Sequence, residues 1–107
     1  MPLTVDDTLI AEAGRRLAAA APDARVILFG SHARGNARPG SDLDLLVVEP
    51  ELRNRREEFG RLREALGDLG VPVDLIVVSD DHVNKWGRVH GNVIHEAMQE
   101  GRVLAGA

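Results

Sequence analysis

At 107 residues without a cysteine, the chain has room for one small core and no disulfide or thiolate metal site to brace it. Its 44% hydrophobic and 28% charged composition is that of an ordinary globular protein, and the absence of cysteine favours an intracellular, cytoplasmic setting. A formal charge of −4 with no long basic stripe argues against general nucleic-acid binding, and no apolar run approaches membrane-spanning length.

Thr4, with Asp7 three residues on, forms a variant capping box. Leu9, Ile10, Ala13, Leu17 and Ala20 then recur at helical spacing, which predicts an amphipathic helix over 5–20. Pro22-Asp23 stops it, and Arg25 to Phe29 is apolar enough for a first strand. A second strand runs from Asp42 to Val48 and is broken at Pro50. Leu52, Phe59, Leu62, Leu66 and Leu69 mark one face of a helix over 52–68, with Arg53, Arg56, Glu57, Arg61 and Glu64 on a solvated face. Gly67 and Gly70 end it, and Pro72 leads into a third strand from Val73 to Val78. Ser79-Asp80-Asp81 caps a further helix. Its stripe of Trp86, Val89, Val93, Ile94, Ala97 and Met98 reaches Gly101, with a break near Gly87. Arg102 to Leu104 forms a short final strand. No repeat or linker interrupts the order, so residues 1–107 are expected to form one domain.

The second strand reads D-L-D-L-L-V-V. Alternation puts Leu43, Leu45 and Val47 on one face and Asp42, Asp44, Leu46 and Val48 on the other. The third strand has the same arrangement, with Asp74 ahead of Ile76 and Val78. A sheet covered on both faces admits carboxylates only where it emerges from its cover or binds something positive. A right-handed parallel crossover over 42–78 would align Asp74 with the Asp42/Asp44 pair. The connection from Phe29 to Asp42 is short for a packed parallel crossover, so strands one and two are expected to be antiparallel. Only that pairing sets Ser31 beside Asp42; a parallel one would part them by about 20 Å.

Three carboxylates with no His or Cys beside them suit a hard cation, Mg²⁺ above all. A pair of such ions roughly 4 Å apart would clamp both oxygens of an in-line phosphoryl displacement. Asp42 and Asp44 have the spacing to bridge a metal pair, and Asp74 would complete one metal and orient or deprotonate a hydroxyl. Gly30-Ser31 offers a close backbone approach, a hydroxyl and free amides, the parts of a phosphate cradle. Arg34 and Arg38 could neutralise triphosphate charge. Gly30 and Gly35 also satisfy G-x-x-x-x-G, but Asn36-Ala37 stands where a P-loop needs Lys-Ser/Thr, which removes that reading. A D-x-D pair alone is commonly an exposed strand end; with Gly30-Ser31 and Asp74 it reads as a metal site. His82, His90 and His95 fit surface or packing roles. Trp86 fits a packing anchor, and would mark a partner surface if exposed.

Gly30-Ser31, Asp42-x-Asp44 and Asp74, with the text GSHARG…SDLDLLVV, resemble the DNA polymerase β superfamily of nucleotidyltransferases. The resemblance is to its minimal (MNT-type) members, often encoded beside HEPN-domain toxins, and covers nearly the whole chain. It implies an α/β fold with a small mixed sheet and packed helices. It also implies a metal-dependent enzyme that moves a nucleoside monophosphate, AMP from ATP, onto a hydroxyl. By position, Gly30 and Ser31, with Arg34, would hold the nucleotide; Asp42 and Asp44 would bind the metals; Asp74 would be the third catalytic carboxylate. His32 stands where many members carry Arg, which bears on one phosphate contact. The implied acceptor is a tyrosine of a HEPN toxin partner, making the chain an antitoxin. The alternatives are an aminoglycoside-type small-molecule acceptor, or a non-catalytic module that restrains its partner by contact.

Overall fold

A computed structural model describes residues 5–106. In chain order the elements are α1 (Asp7–Ala20), β1 (Arg25–Phe29), α2 (Ser31–Arg34), β2 (Leu43–Glu49), α3 (Arg55–Leu66), β3 (Val73–Ser79), α4 (Asp80–Trp86), α5 (Val93–Glu100) and β4 (Arg102–Ala105). The strands form one mixed sheet in the order β3-β2-β1-β4. β1 is antiparallel to both β2 and β4, while β2 and β3 run parallel around the α3 crossover. The fold class and strand directions expected from the sequence hold. Among the described residues no helix is long and apolar enough to cross a membrane.

Strand alternation divides the core into two layers. Val26, Leu28, Leu43, Leu45, Val47, Leu75 and Val77 pack with Ile10, Ala13 and Leu17 of α1 and Leu62 and Leu66 of α3. On the opposite face Ile27, Phe29, Leu46, Val48 and Val78 pack with Val83 of α4 and Ile94 and Ala97 of α5. β1 and β2, the central strands, therefore bury both of their faces, which explains their near-continuous apolar runs. α5 lies close enough to β1 that a Cβ on Gly101 would strike Ile27 and the Ala97 carbonyl. That tight junction turns the chain from α5 into β4.

The helix ends differ from the sequence reading in instructive ways. Thr4 lies outside the described residues; the cap of α1 is Asp6, whose carboxylate accepts from the Leu9 amide at 2.9 Å. α3 starts at Arg55 rather than 52, because Asn54 caps it by accepting from the Glu57 amide at 3.0 Å. Leu52 packs on the core from outside the helix, whereas Phe59 in the first half of α3 is 40% exposed. The break expected near Gly87 is present: α4 ends at Trp86 and α5 begins at Val93. Asn92 ends the break by accepting from the His95 amide, while its own amide donates to the Trp86 and Val89 carbonyls at 3.2 and 2.8 Å. Asparagine competes with the backbone for local hydrogen bonds, so a periodic stripe can be interrupted without a proline.

The charged face of α3 is only partly solvated. Arg61 donates to both Glu58 oxygens and to the carbonyl of Ala20 at the end of α1. Glu49, the last residue of β2, faces the same group with its Oε2 buried and unpartnered. Burial first, then a hydrogen bond to Glu58, raises the Glu49 carboxyl to about 7, while Arg61 and then Glu49 lower Glu58 to about 2. The two carboxyls are thus pushed apart, Glu49 toward its protonated form and Glu58 toward its ionised form. For Glu49 the folded state binds a proton more tightly than the unfolded chain, so its contribution to stability falls as pH rises from about 4.5 to 7. Glu58 acts oppositely, its contribution being lost as pH falls from about 4.5 to 2. Glu49→Gln, which keeps a donor toward Glu58 at every pH, should match the wild type in urea midpoint at pH 5 and exceed it at pH 8. Parallel midpoints across that range would mean the Glu49 carboxyl is not held toward its protonated form.

Candidate active site

The acid end of the sheet is built by register. Asp44 on β2 lies opposite Phe29 of antiparallel β1 and opposite Asp74 of parallel β3. Phe29, Asp44 and Asp74 therefore form a row on the α4/α5 face. The next row on that face, Ile27, Leu46 and Ile76, is apolar. Two residues along the strands, the surface changes from core to carboxylate. Asp42 sits just outside β2 and is exposed, as is Asp74, while Asp44 is half-buried.

Gly30 makes the closest approach to this row. It follows β1 with φ 75° and ψ −158°, and a Cβ there would run into the Asp44 carboxylate. Glycine is required both by the backbone angle and by the space. The chain then enters the short turn α2, whose amides receive no side-chain cap; the Ala33 and Arg34 amides donate back to the Gly30 carbonyl at 3.1 Å. Ser31 opens this turn beside the carboxylates, as the antiparallel pairing of β1 and β2 requires.

The connection from α2 to β2 is held by short-range bonds. The Arg38 amide donates to Ser41 Oγ and the Ser41 amide to the Arg38 carbonyl, each at 2.9 Å. His32 Nε2 donates to the Ser41 carbonyl at 3.3 Å, tying α2 to the residue before Asp42. Beside His32 a cavity of about 310 Å³ opens between this loop and Gly70-Val71-Pro72. Arg38 lines that cavity rather than the acid row.

Arg34 points elsewhere than toward a free phosphate site. Its Nη1 donates to Glu96 at 2.8 Å and to Glu100 at 3.2 Å, one turn apart on α5. Glu96 was not singled out from the sequence, yet its charge reaches Asp44. The Asp44 carboxyl is raised by burial first, then by Asp74, Asp42 and Glu96, with His32 opposing. The i,i+4 pair Glu96/Glu100 was the available signal, legible only once α5 is known to cross α2. Among the described residues no three His, Asp or Glu side chains already stand as a complete metal cage. The donor set, hard oxygens crowded by like charge and next to uncapped amides, fits a divalent cation that keeps places for phosphate oxygens.

The sequence matches the nucleotidyltransferase domain family over residues 10–104. The chain belongs to that family. It is 32% identical over 84 residues to the "Putative protein adenylyltransferase MJ0604" of Methanocaldococcus jannaschii, covering 75% of this chain and 76% of that one. It is also 35% identical over 66 residues to the "Nuclear poly(A) polymerase 1" of Arabidopsis thaliana, a stretch that covers 61% of this chain and 9% of that much longer protein. A solved "putative minimal nucleotidyltransferase" superposes with a TM-score of 0.61 at 34% identity, covering 90% of this chain and 92% of that one. A "toxin-antitoxin with AMP-PNP" superposes at 0.64 and 20% identity, covering 96% and 75%, which is a likeness of fold.

The contact between Gly30 and Asp44 can be isolated. Gly30→Ala should destabilise by roughly 1–3 kcal/mol from backbone strain, plus the displacement of the Asp44 carboxylate. In an Asp44→Ala background the carboxylate is gone and only a 3.2 Å contact to Cβ remains, so the cost should shrink toward the strain alone. Additivity of the two substitutions within about 0.5 kcal/mol in urea denaturation would show that the contact is not made.

Proposed function

We propose that this domain transfers AMP from ATP to a hydroxyl of a protein acceptor, with divalent metal, and that the acceptor is a tyrosine of a HEPN-type toxin that it restrains. The observation that carries the reading is the row of Asp44 and Asp74, with Asp42 at its mouth and the Gly30-Ser31 turn against it. The likeness to a protein adenylyltransferase in sequence supports a protein acceptor, and the likeness to a toxin–antitoxin structure in fold is consistent with one.

In this reading Asp42 and Asp44 would hold divalent metal, Mg²⁺ above all and two ions in number, with Asp74 completing the set. The metal, when bound, screens the carboxylates from one another and draws charge from the phosphate oxygens. The uncapped amides and hydroxyl of Gly30-Ser31 bind the triphosphate tail. The acceptor oxygen forms a bond to the α-phosphorus as the bond from that phosphorus to the bridging oxygen breaks, and pyrophosphate leaves with the electron pair. Asp74, the outermost strand's carboxylate, orients the hydroxyl and takes its proton. Arg34 reaches phosphate only by giving up Glu96 or Glu100, so its contribution to nucleotide binding is a contest between carboxylates and phosphate.

Titration calorimetry with ATP should show binding that needs Mg²⁺ and that weakens in Asp42→Asn and Asp44→Asn. Asp74→Asn should retain most of that binding and lose transfer, read as the gain of one AMP in the intact mass of a purified HEPN-type partner. Equal ATP affinity in chelator for wild type and both variants would move the nucleotide elsewhere. A partner neutralised equally well by the Asp42→Asn/Asp44→Asn double variant, with no adduct from wild type, would replace transfer by restraint through contact.

A further inference from the structure

Among the described residues, three of the five exposed large apolar side chains fall within eight residues: Trp86, Val89 and Val93 are 40%, 43% and 40% exposed. They lie at the corner between α4 and α5, which is not a loose loop. The Val89 amide donates to the Trp86 carbonyl at 3.1 Å, Asn92 Nδ2 bonds both the Trp86 and Val89 carbonyls, and His95 Nδ1 donates to the Gly87 carbonyl at 2.8 Å. The apolar side chains are thus presented by a braced backbone, which lowers the entropy lost when something covers them.

The charge of this corner is opposite to that of the chain. Residues 82–95 contain Lys85, Arg88, His82, His90 and His95 and no Asp or Glu, in a protein of formal charge −4. Lys85 Nζ stands 5.5 Å from the Trp86 ring centroid, and the His82 ring lies 6.4 Å from it. The corner also borders the acid row. Val93 is three residues before Glu96 on α5, hence on an adjacent position of the helix surface, and Glu96 is the α5 group whose charge reaches Asp44.

We infer that the α4–α5 corner is a docking surface for a protein segment that carries an apolar stripe flanked by Asp and Glu. The inference rests on the protein-acceptor reading for its purpose, since it sets such a segment at the rim of the carboxylate row. Its recognition chemistry is independent of that reading. Trp86 and the two valines would take the apolar stripe, and Lys85 and Arg88 would select acidic flanks and repel basic ones. The acids of the site, one helical turn away, would repel an acidic segment from the row itself and leave only its acceptor side chain to enter.

Trp86 is the only tryptophan of the chain, so its emission reports this surface alone. The probes are two amphipathic helical peptides free of tryptophan, with leucines at i, i+3, i+4 and i+7 and flanked either by glutamates or by lysines. Without nucleotide, the glutamate peptide should blue-shift Trp86, bind at least about tenfold tighter than the lysine peptide, and weaken with added salt. Lys85→Glu/Arg88→Glu should reverse the preference, and Val89→Asp should weaken both peptides about tenfold. These positions are exposed, and circular dichroism verifies that each variant folds. Asp44→Asn should bind the glutamate peptide as the wild type does, which separates this test from the fate of the transfer reaction. The proposal is overturned by equal binding of both peptides, or by no shift with either. It is equally overturned if Trp86 emission changes only with protein concentration, which would make a second copy the occupant. Binding to phosphatidylserine vesicles in place of the glutamate peptide would overturn it as well.

Discussion

Like charges held side by side raise the free energy of a folded chain, and here the backbone leaves them no escape. β2 and β3 pair without a slip from Leu43 opposite Val73 to Glu49 opposite Ser79, so Asp44 and Asp74 must be neighbours. A shift of β3 by one residue would remove the crowding, but it would turn Val78 out of one core layer and Leu75 and Val77 out of the other. Each of those side chains contributes about 1.5–3 kcal/mol by its burial. Their sum exceeds the repulsion of two carboxylates in partly aqueous surroundings at about 1–4 kcal/mol. The apolar rows hold the register, and the register holds the acids together.

The same logic explains why the acids stand where they do. The α4/α5 layer covers Leu46 and, in the next row, Phe29, but it stops short of Asp44 and Asp74 beside Phe29, so the acids of that row reach solvent. α5 then serves both layers of the argument. Ile94 and Ala97 fix it to the sheet, while Glu96 and Glu100 on its outer side hold Arg34 of α2. With both carboxylates and the guanidinium more than a third exposed, these ion pairs add little to stability. Their effect is positional: they set the angle between the Gly30-Ser31 turn and the helix that borders the acid row.

Most of this could be read from the chain because periodicity and register are local in sequence. The alternation of β2 and β3 announced which residues share a face, and the short Phe29–Asp42 connection announced an antiparallel pair; together they place Gly30, Ser31, Asp42, Asp44 and Asp74 at one end of the sheet. What escaped depends on contacts between distant segments. Arg34 read as a phosphate ligand because Glu96 and Glu100 are more than sixty residues away. The solvated face assigned to α3 overlooked Arg61, whose bond to the Ala20 carbonyl joins α1 and α3. Trp86 read first as a packing anchor because it heads an apolar stripe, and although the break near Gly87 was legible, the exposure of the corner it makes was not. The fourth acid of the site was hidden for the same reason as the partners of Arg34.

The two ends of the sheet treat charge in opposite ways, and the contrast bears on function. At the far end Arg25 pairs with Asp80 at 3.1 Å, Arg61 pairs with Glu58, and Glu49 is driven to keep its proton. Glu49, Glu58 and Asp80 are thus each paired with, or shifted toward neutrality by, groups of the chain itself. At the other end, among the described residues, Asp42, Asp44 and Asp74 form no salt bridge, and Arg34 of the neighbouring turn is committed to α5. A fold that neutralises its acids so thoroughly at one end has the means to do so at the other. Three unpaired carboxylates beside a glycine turn that no side chain caps leave charge uncompensated by the chain, and that is the physical ground for proposing a cation, with its anion, at this end.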